Sequence, residues 1–458
     1  MSIDTAFVLL TGMPENYSRL IQSKFEHALN LHKQGNLEQA KRGYRSVLKA
    51  SRDHPGALHF LGVLTHRQGD SDHAIQLIRK AIKKAPHDSA AHKNLGNVLV
   101  ELRRYDEAEE CYQRAISLQP GEGSNYANLC VVLRHLERYD ESIQAGLMSI
   151  KLIPDEPLGW YSLGNTYRNA GKLVKAIKYY EKTVALSPRF APAHDNLCQA
   201  TFSLEKGSIF GRRRLKRTTR AYRRWLEDDP GNSIATFMLS AIGDEVDLKR
   251  APDDFVRDMF DHFSGSFDQR LAELEYGVPE LIAMTVEKLL VQAAGVLDVL
   301  DGGCGTGLCG PILKPYAAHL TGVDLSTGML AKAKGLRLYD NLVESELTSW
   351  LSRHPDAYDM VVFSDTLCYF GDLEDIINAT AGALHNDGRV IFSLEQLVLE
   401  NDLRGYRLHP HGRYSHTRRY LEAILVQSEF EILEIRVETL RLEKGYPVEG
   451  FIVSAKKR

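Results

Sequence analysis

Four prolines, Pro86, Pro120, Pro154 and Pro188, follow one another at intervals of 34 residues. A chain with that period is built from copies of one unit. In the same register, Gly62, Gly96 and Gly164 share a position with Cys130. Ala74, Ala108 and Ala176 share a second position with Ser142, and Ile78, Tyr112 and Tyr180 share a third with Gly146. Small residues at two sites and a large side chain at a third describe two surfaces in close approach, with the large group filling the space between them. Residues 21–54, with Ala40 and Tyr44, fit an earlier copy, and 191–230 fit a lengthened later one.

This pattern resembles the tetratricopeptide repeat, a pair of antiparallel helices closed by a proline turn. One such pair cannot bury its own apolar face, so the resemblance implies a stacked α-solenoid with a groove. Asn94, Asn128 and Asn196 recur at one repeat position, interrupted by Ser162. An amide side chain offers donors and an acceptor to a peptide backbone. The series is therefore a candidate ladder for a bound peptide, in repeats similar to those of the glycosyltransferase that adds N-acetylglucosamine to proteins. The alternative is that these asparagines bond between neighbouring repeats or face water. Residues 212–224 carry eight basic side chains and no acid, with Leu215 and Tyr222 interleaved. They read as the wet face of a last amphipathic helix, or as a contact for an anionic partner, RNA or an acidic protein. The stretch 231–250 lacks the repeat pattern and reads as a linker.

Bulk composition narrows the function classes. In 458 residues, 57 Lys and Arg face 60 Asp and Glu, a net charge of −3. Coating of nucleic acid or membrane by overall charge is not expected; nucleic acid would bind only through 212–224. The six cysteines contain no CxxC, which argues against a disulfide framework or a zinc module. His409, His411 and His416 lack a cysteine or carboxylate partner at ligand spacing, and no metal is expected. No run approaches the ~20 apolar residues of a membrane span, and the N-terminus has an acid where a secretion signal wants a base. A cytoplasmic location is the expectation.

From 296 onward, short apolar runs alternate with helical stretches: 296–301, 319–324, 358–364 and 388–395 read as strands of a doubly wound sheet, with a weak one near LVESEL. Runs 430–440 and 446–456 read as a terminal antiparallel hairpin. The first strand enters Asp301-Gly302-Gly303-Cys304-Gly305-Thr306-Gly307, glycines where backbone passes against a ligand. The second ends in Asp324, suited to ribose hydroxyls. Residues 305–310 also satisfy GxGxxG, so a nicotinamide cofactor is a second reading of the pattern. The acid before the glycines, the short remaining chain and the hairpin weigh against it.

Together these features resemble the class I S-adenosylmethionine-dependent methyltransferases. The resemblance implies that Asp301, Gly303, Gly305 and Gly307 hold the methionine part of S-adenosylmethionine, with Asp324 on the ribose and Glu346 near the adenine. FDHFSGSFD (260–268) resembles the cap helix of such enzymes, whose aromatic, Phe267, covers the cofactor. The order of repeats, FDQRLAELEYGVPELI, GCGTGLCGP, GVDLSTGML and GRYSHTRRYL resembles bacterial predicted methyltransferases carrying tetratricopeptide repeats, over nearly the whole chain. Gly302 stands where that family has a bulky aliphatic residue, which predicts a void or loosened turn. Asp365, Tyr414 and His416 are the candidates for acceptor-side chemistry, His416 as a proton acceptor. The expected layout is an N-terminal segment (1–20), a solenoid (21–230), a linker (231–250) and a methyltransferase domain (251–458). The expected function is methyl transfer, with the repeats recruiting a protein or peptide. The alternatives are a small-molecule methyltransferase whose repeats serve assembly, or a non-catalytic adaptor with a degenerate cofactor site.

Overall fold

The computed structural model describes residues 15–206, 215–243, 248–265, 267–290, 294–398, 404–443 and 445–458. The chain divides into two compact units, Met1–Ala221 and Tyr222–Arg458. Part of the basic run, 212–214, and most of the N-terminal segment, 1–14, lie outside the described residues.

The first unit is helical pairs: α1 (Glu15–Lys33) with α2 (Leu37–Ala50), α3 (Pro55–Arg67) with α4 (Ser71–Lys84), α5 (Ser89–Glu101) with α6 (Tyr105–Leu118), α7 (Gly123–His135) with α8 (Tyr139–Leu152), and α9 (Pro157–Asn169) with α10 (Leu173–Leu186). Helices α11 (Ala191–Lys206) and α12 (Lys216–Asp228) follow. Each periodic proline stands two residues beyond the second helix of a pair, where its ring and missing N–H forbid another turn. Asp88 then restarts the chain by capping α5, accepting from the amides of Ala90 and Ala91 at 3.1 and 3.3 Å.

The small-and-large pattern has a contact behind it. A Cβ on Gly96 would lie 2.8 Å from the Tyr112 ring, and one on Gly164 would lie 2.6 Å from Tyr180. In the fourth pair the volumes are exchanged. There Gly146 replaces the ring, and its added Cβ would meet Leu163 at 2.9 Å and Cys130 Sγ at 3.1 Å. Ser142 joins this exchange, donating to the Cys130 carbonyl at 2.7 Å beside Thr166 Oγ1 at 2.9 Å.

The second unit begins within α12 and continues with α13 (Ser233–Ala241), α14 (Asp253–Phe263), α15 (Phe267–Glu273) and α16 (Val278–Leu289). The stretch expected as a linker is thus partly structured. Asn232 caps α13 through the Ala235 amide at 2.9 Å, and Phe237, fully buried, packs 4.6 Å from the Phe255 ring in the main core. Its apolar run is core of the second unit, which is why it lacks the repeat pattern.

An α/β sheet follows: β1 (Leu297–Gly302), α17 (Gly310–Leu313), β2 (Ala317–Asp324), α18 (Thr327–Leu336), β3 (Asn341–Glu344), α19 (Leu347–Ser352), β4 (Tyr358–Phe363), α20 (Glu374–Ala383), β5 (Leu384–Gln396), β6 (Tyr406–Leu408), β7 (Tyr414–His416), α21 (Arg418–Gln427), β8 (Phe430–Glu443) and β9 (Tyr446–Lys457). Strands β3-β2-β1-β4-β5 are parallel, and β9 joins β5 antiparallel and carries β8 on its other side. The short β7 pairs parallel with Glu395 and Gln396 at the end of β5, and β6 pairs with β7. Alternation sorts the core. Val361 and Phe363 face one apolar layer while Met360 and Val362 face the other, so the run 360–363 of β4 is apolar on both faces. Strand order reverses between β1 and β4, which opens a crevice at their carboxyl ends.

Candidate active site

Strand β1 runs into a turn of left-handed glycines: Gly303, Gly305 and Gly307 have φ of 74°, 54° and 91°. Protein closes over two of them. A Cβ on Gly303 would lie 2.3 Å from Thr366 Oγ1, and one on Gly307 would lie 2.8 Å from Leu336. Gly305 differs, because nothing lies within 4 Å of its added Cβ, and it lines a cavity of about 350 Å³. Its bare backbone faces open space, as a ligand cradle requires.

The void predicted at Gly302 is corrected by the structure. A Cβ there would sit 2.5 Å from Phe363 Cε1 and 3.3 Å from Leu347, and Phe363 is fully buried. The bulk that β1 lacks is supplied by β4, so the turn is supported from below.

Two acids flank the turn. Asp301 is 1% exposed and accepts from the Tyr339 hydroxyl at 2.7 Å. Burial pushes its carboxyl up to about 7, the Tyr339 hydrogen bond partly offsetting this and the nearby Asp324 charge adding to it. Asp324, at the end of β2, accepts from the Gly305 amide on one oxygen and the Ser326 amide on the other, both at 2.8 Å. Burial raises its carboxyl in spite of those amides. Each oxygen keeps acceptor capacity, so two hydroxyls can still be met.

Asp301, Gly303, Gly305, Asp324, Glu346 and Phe267 line this one cavity, whereas Gly307 is outside its lining and acts on the turn. Glu346 has a second task. It caps α19, accepting from Thr348 and Ser349 amides at 3.0 and 2.7 Å, and pairs with Arg250 at 2.9 Å. Burial would raise its carboxyl, but these partners outweigh it and hold the group below its ordinary value. An adenine amino group there would share an acceptor already in use.

Helices α14 and α15 form the apolar side of the cavity. Phe260 meets Phe267 edge-on at 5.8 Å and Tyr369 at 5.7 Å. Both helices are tied to the turn region: Asp268 accepts from Thr306 Oγ1 at 2.7 Å, and Asp261 from the Gly328 amide at 3.0 Å.

The acceptor-side candidates part company. Asp365 lines the cavity, in a left-handed conformation (φ 56°) with its amide donating to Ser393 at 2.8 Å, and it is paired with Arg413. His416 and Tyr414 require correction, since neither lines the cavity. Strand β7 buries both: Tyr414 donates to the Leu248 carbonyl at 2.6 Å, and His416 Nε2 bonds the Gly371 carbonyl at 2.9 Å. Burial drives the His416 imidazole down to about 4, the backbone contacts offsetting only part of that. They hold the strand in place; Thr417 caps α21 through the Tyr420 amide at 3.3 Å.

Sequence reasoning missed a buried ion network at this end. Arg413 contacts Glu395 at 2.6 Å as an ion pair without hydrogen-bond alignment, and Arg441 reaches Glu395 at 2.7 Å and Glu443 at 2.9 Å. Burial alone would raise Glu395, but the two guanidinium groups outweigh it and hold the carboxyl at about 2. Tyr276, which also lines the cavity, has its hydroxyl 3.3 Å from Ser364 Oγ.

In the first unit the asparagines of the series bond within the repeats, as the alternative reading of the series has it. Asn94 Nδ2 lies 2.8 Å from His59 Nε2. Asn128 donates to Asn97 Oδ1 at 3.1 Å, and Asn196 to Asn165 Oδ1 at 3.0 Å. Those acceptors also take the hydroxyls of Tyr112 and Tyr180, at 2.7 and 2.8 Å. One amide thus links consecutive repeats and the packing ring. Among the described residues no helix is long and apolar enough to cross a membrane.

A family model described as a methyltransferase domain matches residues 300–392, and tetratricopeptide-repeat models match 25–89, 89–122 and 157–190. The chain is 26% identical to a malonyl-[acyl-carrier protein] O-methyltransferase of Acetivibrio thermocellus, over 38% of this chain and 67% of that one. Ubiquinone biosynthesis O-methyltransferases of Yersinia enterocolitica and Thiobacillus denitrificans are 30% and 33% identical, each over 24% of this chain. The chain spans only 48% and 47% of those two proteins. Among solved structures, MamA is 25% identical over 36% of this chain and 96% of its own, with a TM-score of 0.33. Pseudomonas aeruginosa PilF is 19% identical over 48% and 96%, with a TM-score of 0.40. At those scores the likeness carries no argument. From the matched models and the fold, the chain joins a tetratricopeptide-repeat array to a methyltransferase domain.

Proposed function

We propose that the second unit transfers a methyl group from S-adenosylmethionine to an oxygen acceptor, and that the repeats recruit a protein or peptide that is, or carries, that acceptor. One observation carries the donor assignment: the open backbone of Gly305 and the Asp324 carboxylate share a cavity wall that continues into an aromatic chamber. The residues present fit the donor. Asp324 would accept from the ribose hydroxyls, the bare backbone at Gly305 would admit the amino-acid tail, and Asp301 would face its ammonium. When bound, the donor supplies a methyl carbon on a sulfonium, a good leaving group.

The protein's share is then alignment and exclusion of water. Phe260, Phe263 and Phe267 would help to dry the cavity, and Tyr276, Ser364 and Tyr369 are hydroxyl-bearing residues of the same lining. The Arg413 pairing orients Asp365, as a positioning group for the acceptor. Oxygen is the acceptor atom in the names of the relatives, which makes it the first to test here. Asn94, Asn128 and Asn196 each bond inside the array, so partner binding by the repeats would draw on other side chains as well.

The test is calorimetry of the full chain with S-adenosylhomocysteine and, separately, NAD. Binding of the former alone supports the reading, and Asp324→Ala should weaken it by about 1–3 kcal/mol, the scale of hydrogen bonds to a charged acceptor. No heat at millimolar S-adenosylhomocysteine would favour the non-catalytic adaptor.

A further inference from the structure

Arg134 and Arg168 stand one repeat apart, near the carboxyl ends of α7 and α9. The same register places His66, Val100 and Phe202 on α3, α5 and α11. His66 has the Glu101 carboxylate at 2.9 Å. Val100 and Phe202 are apolar, so the two cations are flanked by repeats that bring no charge to this position.

Among the described residues of the first unit, three arginines are half-buried and the rest are exposed. Arg104 is one of the three, and it pairs with Glu107 at 2.6 Å. Arg134 and Arg168 are the others, and neither has a carboxylate partner among the described residues. Arg134 Nη2 lies 3.2 Å from His135 Nε2, and its Nε is buried without a hydrogen-bond partner. Arg168 donates from Nη1 to Asn196 Oδ1, a neutral amide. That amide is itself fixed, donating to the Tyr161 hydroxyl at 2.9 Å and to Asn165 Oδ1 at 3.0 Å. Burial lowers the Arg134 guanidinium, and the Arg168 charge beside it lowers it further. A desolvated cation without a counter-charge is costly, and two at successive repeats add their potentials. An anion would relieve both at once.

We propose that Arg134 and Arg168 jointly receive a carboxylate of the recruited peptide. Planar forks of donors match that group. It is also the anion that an unmodified peptide offers, from an Asp or Glu side chain or from its C-terminus. The proposal rests on the recruitment reading above and adds the chemistry of the recruited segment.

The test is fluorescence anisotropy of the full chain with three hexapeptides carrying the same N-terminal dye: amidated hexaglutamate, amidated hexaglutamine, and hexaglutamine with a free C-terminus. One of the two carboxylate probes should bind at least about tenfold more tightly than amidated hexaglutamine. Hexaglutamate marks a side-chain carboxylate and the free C-terminus a terminal one. Arg134→Gln combined with Arg168→Gln should abolish that preference, and the paired lysine variant should keep most of it. Arg217→Gln with Arg220→Gln, on the exposed face of α12, should keep all of it. If circular dichroism shows the glutamine pair unfolded, Arg134→Gln alone, which leaves the Asn196 bond in place, should still lose at least about threefold. A preference that survives removal of Arg134 and Arg168, or falls with the α12 pair instead, overturns the site as general attraction to a basic chain. Equal binding of the three probes by the wild-type chain, or none, overturns it as well. Recruitment itself fails on a different result, undiminished methylation by a chain lacking the repeats.

Discussion

Replacing Asp301 by Asn should stabilise the second unit while weakening its ligand. The carboxyl is 1% exposed and stands at about 7 instead of its ordinary 3.8, chiefly because burial penalises the charge. Between those values the folded chain keeps a proton that the unfolded chain has released. The resulting relative stability is present below pH 3.8 and is lost as pH rises through about 7. At roughly 1.4 kcal/mol per pH unit, the cost of ionised Asp301 approaches about 4 kcal/mol at pH 8 and is below about 1 kcal/mol at pH 4. An asparagine has nearly the same volume, carries no charge and keeps an acceptor for the Tyr339 hydroxyl. In differential scanning calorimetry of the full chain, the second unit of Asp301→Asn should melt higher by on the order of 10 °C at pH 8 and by little at pH 4. The same variant should lose about tenfold in S-adenosylhomocysteine affinity, having no charge for the ammonium. Wild-type affinity should itself decline as pH falls below about 7, because Asp301 must ionise to bind. A variant that melts no higher than wild type at pH 8, or gains equally at both pH values, refutes burial of this charge as the source.

The volume exchange beneath the turn makes a double-mutant cycle informative. Gly302→Val should cost about 1–3 kcal/mol by overpacking against Phe363, and Phe363→Val about as much by leaving a cavity. Together they should be less damaging than the sum, read as urea midpoints; strict additivity would mean that the two sites do not share one volume. For recruitment, a chain covering 215–458, which retains α13 in its core, should methylate the acceptor with kcat/KM lowered at least about tenfold. Undiminished efficiency would assign the repeats to assembly.

How far the sequence reaches depends on the range over which a signal acts. The parallel strands were legible because burial on both faces leaves uninterrupted apolar runs, and the turn because three left-handed positions call for glycine. Tyr414 and His416 misled because β7 is only three residues long, too short to show a period, and its partner is the far end of β5. The Arg413–Glu395–Arg441 network joins positions with no common local pattern. The asparagine acceptors were recoverable: Asn97 and Asn165, like Tyr112 and Tyr180, recur at twice the repeat length, so an internal network was already written into the spacing. The linker was mistaken because absence of the repeat pattern does not mean absence of core; Phe237 and its neighbours pack elsewhere.

Departures from a family pattern mislead most when each is read alone. Cys130 and Gly146 look like two losses from the repeat until the contact between them shows volume passing from one helix to the other. Gly302 is the same kind of exchange, since Phe363 occupies the space an aliphatic side chain would have filled. This bears on the adaptor alternative, whose structural ground was a void under the glycine turn. With that volume filled, Thr366 closes over Gly303 and donates to the Gly302 carbonyl at 3.0 Å, while the space at Gly305 stays open. A degraded cradle would be expected to collapse or to be plugged by side chains, because an unsupported turn has nothing to hold its backbone off the cavity. Here the support is present and the opening is confined to Gly305, which is the arrangement the proposed donor site requires.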